Sequence, residues 1–264
     1  MSRETDFRLA PDFPEALRKI RERTPARILV GRAGAAYRTS TQIELREAHA
    51  VARDAVRAEL DLESAFGAEF IKLWDLFEAG TEARTKEEFL LRPDRGRRFN
   101  EPCRREISTR CSRENDIQIA IGDGLSVSAV TIQVPALLPL LRDGARVRGW
   151  TVGHTFVIRH CRVGILNEIG ELLAPKVAVL LIGERPGLAT AESLSAYMAY
   201  EPCTGQTDAN RNLISNIHSR GLSVEVAADR ILNLATQMMA LKLSGFSVRE
   251  QLPSAPGRPP AISS

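Results

Sequence analysis

Val177-Ala178-Val179-Leu180-Leu181-Ile182 is the longest clean apolar run in the chain. Six residues are far too few for a membrane helix, and a strand that is apolar on both faces belongs inside a parallel sheet covered by helices on two sides. Working outward, Ile117-Gln118-Ile119-Ala120-Ile121 and Thr155 to Ile158 read as two further strands upstream. Helical candidates lie between them at 127–147, interrupted or bent at Pro135, and at 164–173. Downstream, Ser195 to Tyr200 reads as a fourth strand. A last helix follows, capped by Ser223, with Val224, Ala227, Ala228, Ile231, Leu234, Ala235 and Met238 on one face and a stop at Gly245. This alternation predicts the α/β class: a Rossmann-like parallel sheet with helices on both faces, preceded by a helical N-terminal part.

The expected organisation has four parts. Residues 1–40 form an arm that carries a short charged helix over Glu15 to Arg23, with Pro14 at its start. Residues 41–113 form the helical part. It opens at Thr41-Gln42-Ile43-Glu44, a capping-box pattern, and continues with a small-residue stripe of Leu45, Ala48, Val51, Ala52 and Ala55. Residues 62–91 read as helical with an interruption near Gly80. Residues 114–250 form the Rossmann-like domain, and the proline-rich tail 251–264 reads as disordered.

The chain has 264 residues, 44% hydrophobic and 26% charged, which is the composition of a globular protein. The net charge of +3 conceals 31 Arg against 5 Lys. Base composition of the genome explains such a bias most simply; the sharper reading is a surface for bidentate anion recognition. The arginines concentrate at 92–113, as Arg92, Arg95, Arg97, Arg98, Arg104, Arg105, Arg110 and Arg113. Phe99 is the only aromatic there, so bases would find no stacking platform, and a solvated or partner-facing role is expected instead of nucleic-acid binding. The opening Met1 to Asp6 carries mixed charge with no apolar segment behind it, so no secretory signal is expected. Cys103, Cys111, Cys161 and Cys203 form no C-x-x-C pair and read as reduced thiols of a cytoplasmic protein.

Ligands of open parallel sheets bind beyond the carboxyl ends of the strands. Two such ends stand out here. Gly122-Asp123-Gly124-Leu125-Ser126 lacks the third glycine of the dinucleotide fingerprint, because Val127 holds that position, which disfavours nicotinamide and flavin. In Gly183-Glu184-Arg185-Pro186-Gly187-Leu188 a carboxylate leaves the buried strand into a rigid turn. An acid there suits a ligand that donates hydrogen bonds, such as an amide NH₂ or a ribose hydroxyl; the alternative is a capping contact or an intrachain ion pair with Arg185 or a neighbour. No nucleophile elbow, Walker A loop, H-E-x-x-H or EF-hand pattern occurs, and His49, His154, His160 and His218 are scattered, although His218 could join a site. The pattern is that of a chain that binds and positions.

Six strings occur in order from about residue 25 to 245: Gly31-Arg32-Ala33-Gly34, Leu91-Arg92-Pro93-Asp94-Arg95-Gly96-Arg97-Arg98, Asp123-Gly124-Leu125-Ser126, Gly183 to Leu188, Glu192-Ser193-Leu194-Ser195, and Ile214-Ser215-Asn216-Ile217-His218. Together they resemble the small subunit of ethanolamine ammonia-lyase. The resemblance implies an adenosylcobalamin-dependent enzyme that converts ethanolamine to acetaldehyde and ammonia. It also implies a large subunit whose TIM barrel holds the substrate and the radical chemistry, and a large hetero-oligomer of large–small pairs. By the same resemblance this chain covers the cobalamin, contacts it through Val163, Glu184 and Leu213, brings no catalytic residue or metal ligand of its own, and binds neither nucleic acid nor membrane. Leu213 stands where a Cys is expected in the family. The short N-terminus departs from members directed to bacterial microcompartments, so a cytoplasmic location is expected. The residues themselves leave two alternatives: a stand-alone nucleotide-binding α/β protein or oxidoreductase using Gly122 to Ser126, and a basic nucleic-acid adaptor using 92–113.

Overall fold

The computed structural model of the chain describes residues 13–23, 32–187 and 190–250. Gly31, Leu188, much of the expected arm and the 251–264 tail lie outside the described residues. In chain order the elements are α1 (Phe13–Arg23), β1 (Arg32–Ala33), β2 (Ala36–Tyr37), α2 (Thr39–Arg57), α3 (Leu62–Trp74), β3 (Glu78–Gly80) and α4 (Lys86–Leu91). There follow α5 (Glu101–Arg110), β4 (Ile117–Gly122), α6 (Val127–Val147), β5 (Phe156–Arg159), α7 (Ile165–Leu173) and β6 (Val177–Gly183). The chain then forms β7 (Leu194–Tyr200), β8 (Asn212–Ile217) and α8 (Val224–Leu241).

Six strands make one sheet in the order β3-β5-β4-β6-β7-β8. The first four run parallel, β7 runs against β6, and β8 runs against β7, so five strands point one way. The central strands explain themselves: every residue of β4 and of β6 is buried, and fully burying one Leu, Ile or Val stabilises by roughly 1.5–3 kcal/mol. Because side chains alternate along a strand, Val177, Val179 and Leu181 join the core under α6 and α8, while Ala178, Leu180 and Ile182 join the core under α5 and α7. Helices therefore cover both faces, as the sequence predicts, in a Rossmann-like α/β arrangement. The two layers differ in reach. The α6–α8 layer contacts β7 and β8 through α8, whereas the core on the α5–α7 side takes only Tyr197, partly buried, from those two strands.

Several local expectations need correction. Helix α6 is uninterrupted, with Pro135 and Pro139 both inside it. The expected helix 62–91 is instead α3, strand β3 and α4, and Gly80 ends a strand at the sheet edge. The break inside α3 falls at Gly67, whose φ of 74° only glycine adopts readily. Helix α2 begins at Thr39, two residues before the expected cap, so Thr41 lies within it. Ser223 caps α8 by accepting the Val226 N–H at 3.4 Å, but the helix stops at Lys242 in the left-handed region and not at Gly245. A cation just past a helix end is favourable against the carbonyl dipoles there. No helix among the described residues is long and apolar enough to cross a membrane.

Candidate functional site

Strand β4 feeds α6, which returns to β5 on one side of it, while the chain leaves β6 toward β7 on the other side. The carboxyl ends of β4 and β6 are thus a switch point, where open α/β sheets leave a crevice. A cavity of about 490 Å³ opens there. Leu125, Arg162, Val163, Glu184, Tyr197 and Leu213 are among its lining residues. Its floor comes from β7 and β8, of which the α5–α7 layer reaches only Tyr197: Ser195 and Tyr197 on one strand, Leu213 and Ser215 on the next, each pair two residues apart and so on one face. Leu213 is 46% exposed.

Glu184 follows immediately after β6. Gly183 permits the turn, because a Cβ there would lie 2.0 Å from the Ser126 carbonyl oxygen. The Glu184 Oε1 accepts from the Ser195 hydroxyl at 2.5 Å and from the Asn216 N–H at 3.0 Å, and the Glu184 N–H donates to the Ser193 carbonyl at 3.0 Å. No salt bridge to Glu184 occurs among the described residues, so an ion pair with Arg185 is not formed, while the bond from the Asn216 N–H is a capping contact of the kind the alternative allowed. Asn216 reaches this position in the left-handed region, with φ 63°, and its side-chain oxygen lies 2.7 Å from Nε2 of the buried His218. His218 Nδ1 accepts the Arg220 N–H at 3.3 Å, which assigns the proton to Nε2. His218 therefore supports the loop that orients Glu184 and is not in the cavity lining. Tyr197 has its phenol pushed up, chiefly by burial, with the carboxylates of Asp208 and Glu184 adding to it.

The other strand end is closed. Asp123 is wholly buried and accepts the N–H groups of His160 and Cys161 at 2.9 and 2.8 Å. The Lys86 ammonium sits 3.7 Å from it, with a side chain only 9% exposed. Burial pushes the Asp123 carboxyl up, while Lys86 and the two N–H groups pull it down. Gly124, at φ 57°, lies so close to β6 that a Cβ would fall 2.3 Å from the Gly183 carbonyl oxygen. Ser126 caps α6 and also donates to the Ala191 carbonyl, with Ser128 donating to the same oxygen at 3.0 Å. Gly122 to Ser126 is thus a brace between strands, with its glycines filled by protein, and not an open phosphate loop.

The arginine-rich stretch also resolves into pairs. Arg92 meets Asp94 at 2.8 Å, Arg95 meets Glu88, Arg104 meets Glu168 at 2.5 Å, and Arg110 meets both Asp75 and Glu106 at 3.2 Å. Arg113 donates to the Leu172 carbonyl at 2.6 Å. Arg97 and Arg98 pair with no carboxylate among the described residues. All four cysteines are free. Burial pushes the Cys111 thiol up to about 11, and it pushes the Cys161 thiol up as well. No cluster of three or more metal-ligating side chains occurs among the described residues.

A mostly parallel six-stranded sheet, helices on both faces and an open cavity at the switch point define a Rossmann-like α/β protein with one anchored carboxylate in its crevice. Residues 14–249 match the family model described as ethanolamine ammonia-lyase light chain (EutC). Curated relatives agree with it. The ethanolamine ammonia-lyase small subunit of Clostridium acetobutylicum is 40% identical over 235 residues, 89% of this chain and 95% of that protein. Those of Clostridium perfringens and Clostridioides difficile are 39% and 38% identical over 239 residues, 90% of this chain and 79% and 80% of theirs. The chain belongs to the ethanolamine ammonia-lyase light-chain family, the small subunits of a lyase.

Proposed function

We propose that this chain pairs with a large subunit to hold adenosylcobalamin for the deamination of ethanolamine to acetaldehyde and ammonia, and that Val163, Glu184 and Leu213 are its cofactor contacts. One observation carries the reading: these three residues, from the β5–α7 turn, the end of β6 and β8, line a single cavity. The residues present fit a corrin edge. The rim of a corrin carries amide side chains, and Glu184 has one oxygen fixed by Ser195 and Asn216 while its Oε2 has no partner among the described residues. Val163 and Leu213 offer apolar contact, Leu213 from an exposed position. Arg162, in the same lining, has a buried Nε without a hydrogen-bond partner.

When bound, the cofactor supplies a radical by homolysis of its cobalt–carbon bond. This chain's residues bind and shield. Glu184 orients an amide donor, the β7–β8 floor excludes water from one side, and the fixed Ser195–Glu184–Asn216 geometry limits reorganisation on binding. The substrate site belongs to the large subunit, and four free cysteines suit a reducing cytoplasm.

Glu184→Gln in the assembled complex tests the reading. A hydrogen bond to a charged group is worth about 1.5–3 kcal/mol, so the cobalamin dissociation constant should rise about tenfold or more. An unchanged constant would leave Glu184 as a loop support only. Calorimetry of the isolated chain with nicotinamide and adenine nucleotides should show no binding; binding there would favour the nucleotide-binding alternative.

A further inference from the structure

A second cavity, of about 570 Å³, adjoins the first across Arg162 and Val163, which line both. Four arginines meet on its wall: Arg97, Arg98, Arg162 and Arg211. The two carboxylates on that wall are already engaged, Glu168 with Arg104 and Asp208 with Arg211. Arg97 and Arg98 have no carboxylate partner among the described residues. The Arg211 side chain is only 4% exposed, and its Nε has no partner, although its other nitrogens reach Asp208 and Asn167. Arg162 Nε is likewise buried and unpartnered.

The backbone adds to this charge. Helix α7 has no side-chain cap, and the N–H groups of its first residues Ile165, Leu166 and Asn167 donate to the carbonyls of Arg162, Val163 and Gly164. The N–H groups of Val163 and Gly164 then have no partner among the described residues. Gly164 gives Arg97 its place, since a Cβ there would meet the Arg97 stem at 2.8 Å. Burial lowers the Arg162 guanidinium, and its like-charged neighbours Arg185 and Arg97 lower it further. Buried guanidinium nitrogens without acceptors, a helix start and crowded like charge are what a tetrahedral oxyanion relieves.

We propose that this second cavity is a phosphate-class anion site, formed by Arg97, Arg98, Arg162, Arg211 and the start of α7. Resting on the cofactor reading above, its occupant is the phosphodiester in the nucleotide tail of a cobalamin seated in the first cavity. Free inorganic phosphate is the other source of the same chemistry.

The test uses the assembled complex carrying Arg97→Ala with Arg98→Ala, both exposed positions, and Arg105→Ala as a charge control outside both cavities. Binding of adenosylcobalamin and of adenosylcobinamide, which lacks the nucleotide tail and its phosphate, is measured by equilibrium dialysis. Inorganic phosphate is titrated separately. The expected result is about a tenfold loss of adenosylcobalamin affinity in the double variant, with cobinamide and the Arg105→Ala control unchanged. Loss of phosphate binding with both corrinoids unchanged would keep the anion site and assign it to free phosphate. Equal loss for both corrinoids, or no loss of any ligand, overturns the site. If neither corrinoid binds the wild-type complex, the cofactor reading itself fails, and phosphate titration alone decides the anion site.

Discussion

At the scale of single residues, the two acids that follow sheet strands divide the work. Asp123 and Glu184 both leave strands next to glycines, yet one is sealed in the core and the other faces a crevice. Sequence shows an acid beside glycine in each case; it does not show that Lys86, 37 positions away in the chain, folds over Asp123. The place of Glu184 at the crevice was legible because a buried strand ends there, whereas its tether to Asn216 depends on a strand, β8, that the sequence pattern did not announce. Its burial alternates imperfectly, with Asn212 at its start and Asn216 next to its end. Removing Asp123 should be severe. Asp123→Ala leaves a buried ammonium without its carboxylate and two N–H groups unpartnered, and should cost about 3–5 kcal/mol in chemical denaturation. Asp123→Asn with Lys86→Met should recover most of that loss. The raised Asp123 carboxyl means its ionisation opposes folding as pH climbs from about 4 through its elevated value, so the double variant should show a flatter stability–pH curve over that window. A curve parallel to wild type would remove Asp123 from the account.

At the scale of elements, long apolar patterns were readable and short or contested ones were not. The extent of α6 was read correctly as 127–147, because its buried face recurs over six turns, but Pro135 did not interrupt it. Packing against the sheet and α8 outweighs the lost amide donors. Strand β3, three residues long, pairs only with β5 and carries too little pattern to separate from the helices around it. Helix α7 gives the sharpest element-level expectation. A Cβ on Gly170 would fall 1.6 Å from the carbonyl oxygen of Pro202, a backbone atom that cannot rotate away. Gly170→Ala should therefore lower stability by about 1–3 kcal/mol despite the better helix propensity of alanine. Thermal and denaturant melts check it, and a gain in stability would show that the 201–207 loop yields freely.

At the scale of the whole molecule, the fold class was legible because the order of strands and helices dictates it. The reversed direction of β7 was not, since nothing in the apolar content of Leu194 to Tyr200 distinguishes antiparallel from parallel pairing. The isolated chain should show no lyase activity, and addition of the large subunit with adenosylcobalamin should restore it. Turnover by the large subunit alone would show that this chain is dispensable. The sheet extends two strands beyond the helices on one face, and that shortfall has a thermodynamic consequence. A molecule that covers the exposed Leu213 and Ser215 of β8 binds the folded chain and not the unfolded one, so occupancy and folding become one linked equilibrium. At a ligand concentration a hundred times its dissociation constant, the linkage adds about 2.7 kcal/mol. Should a partner supply that outer layer, the chain's own persistence becomes a measure of how much of that partner is present.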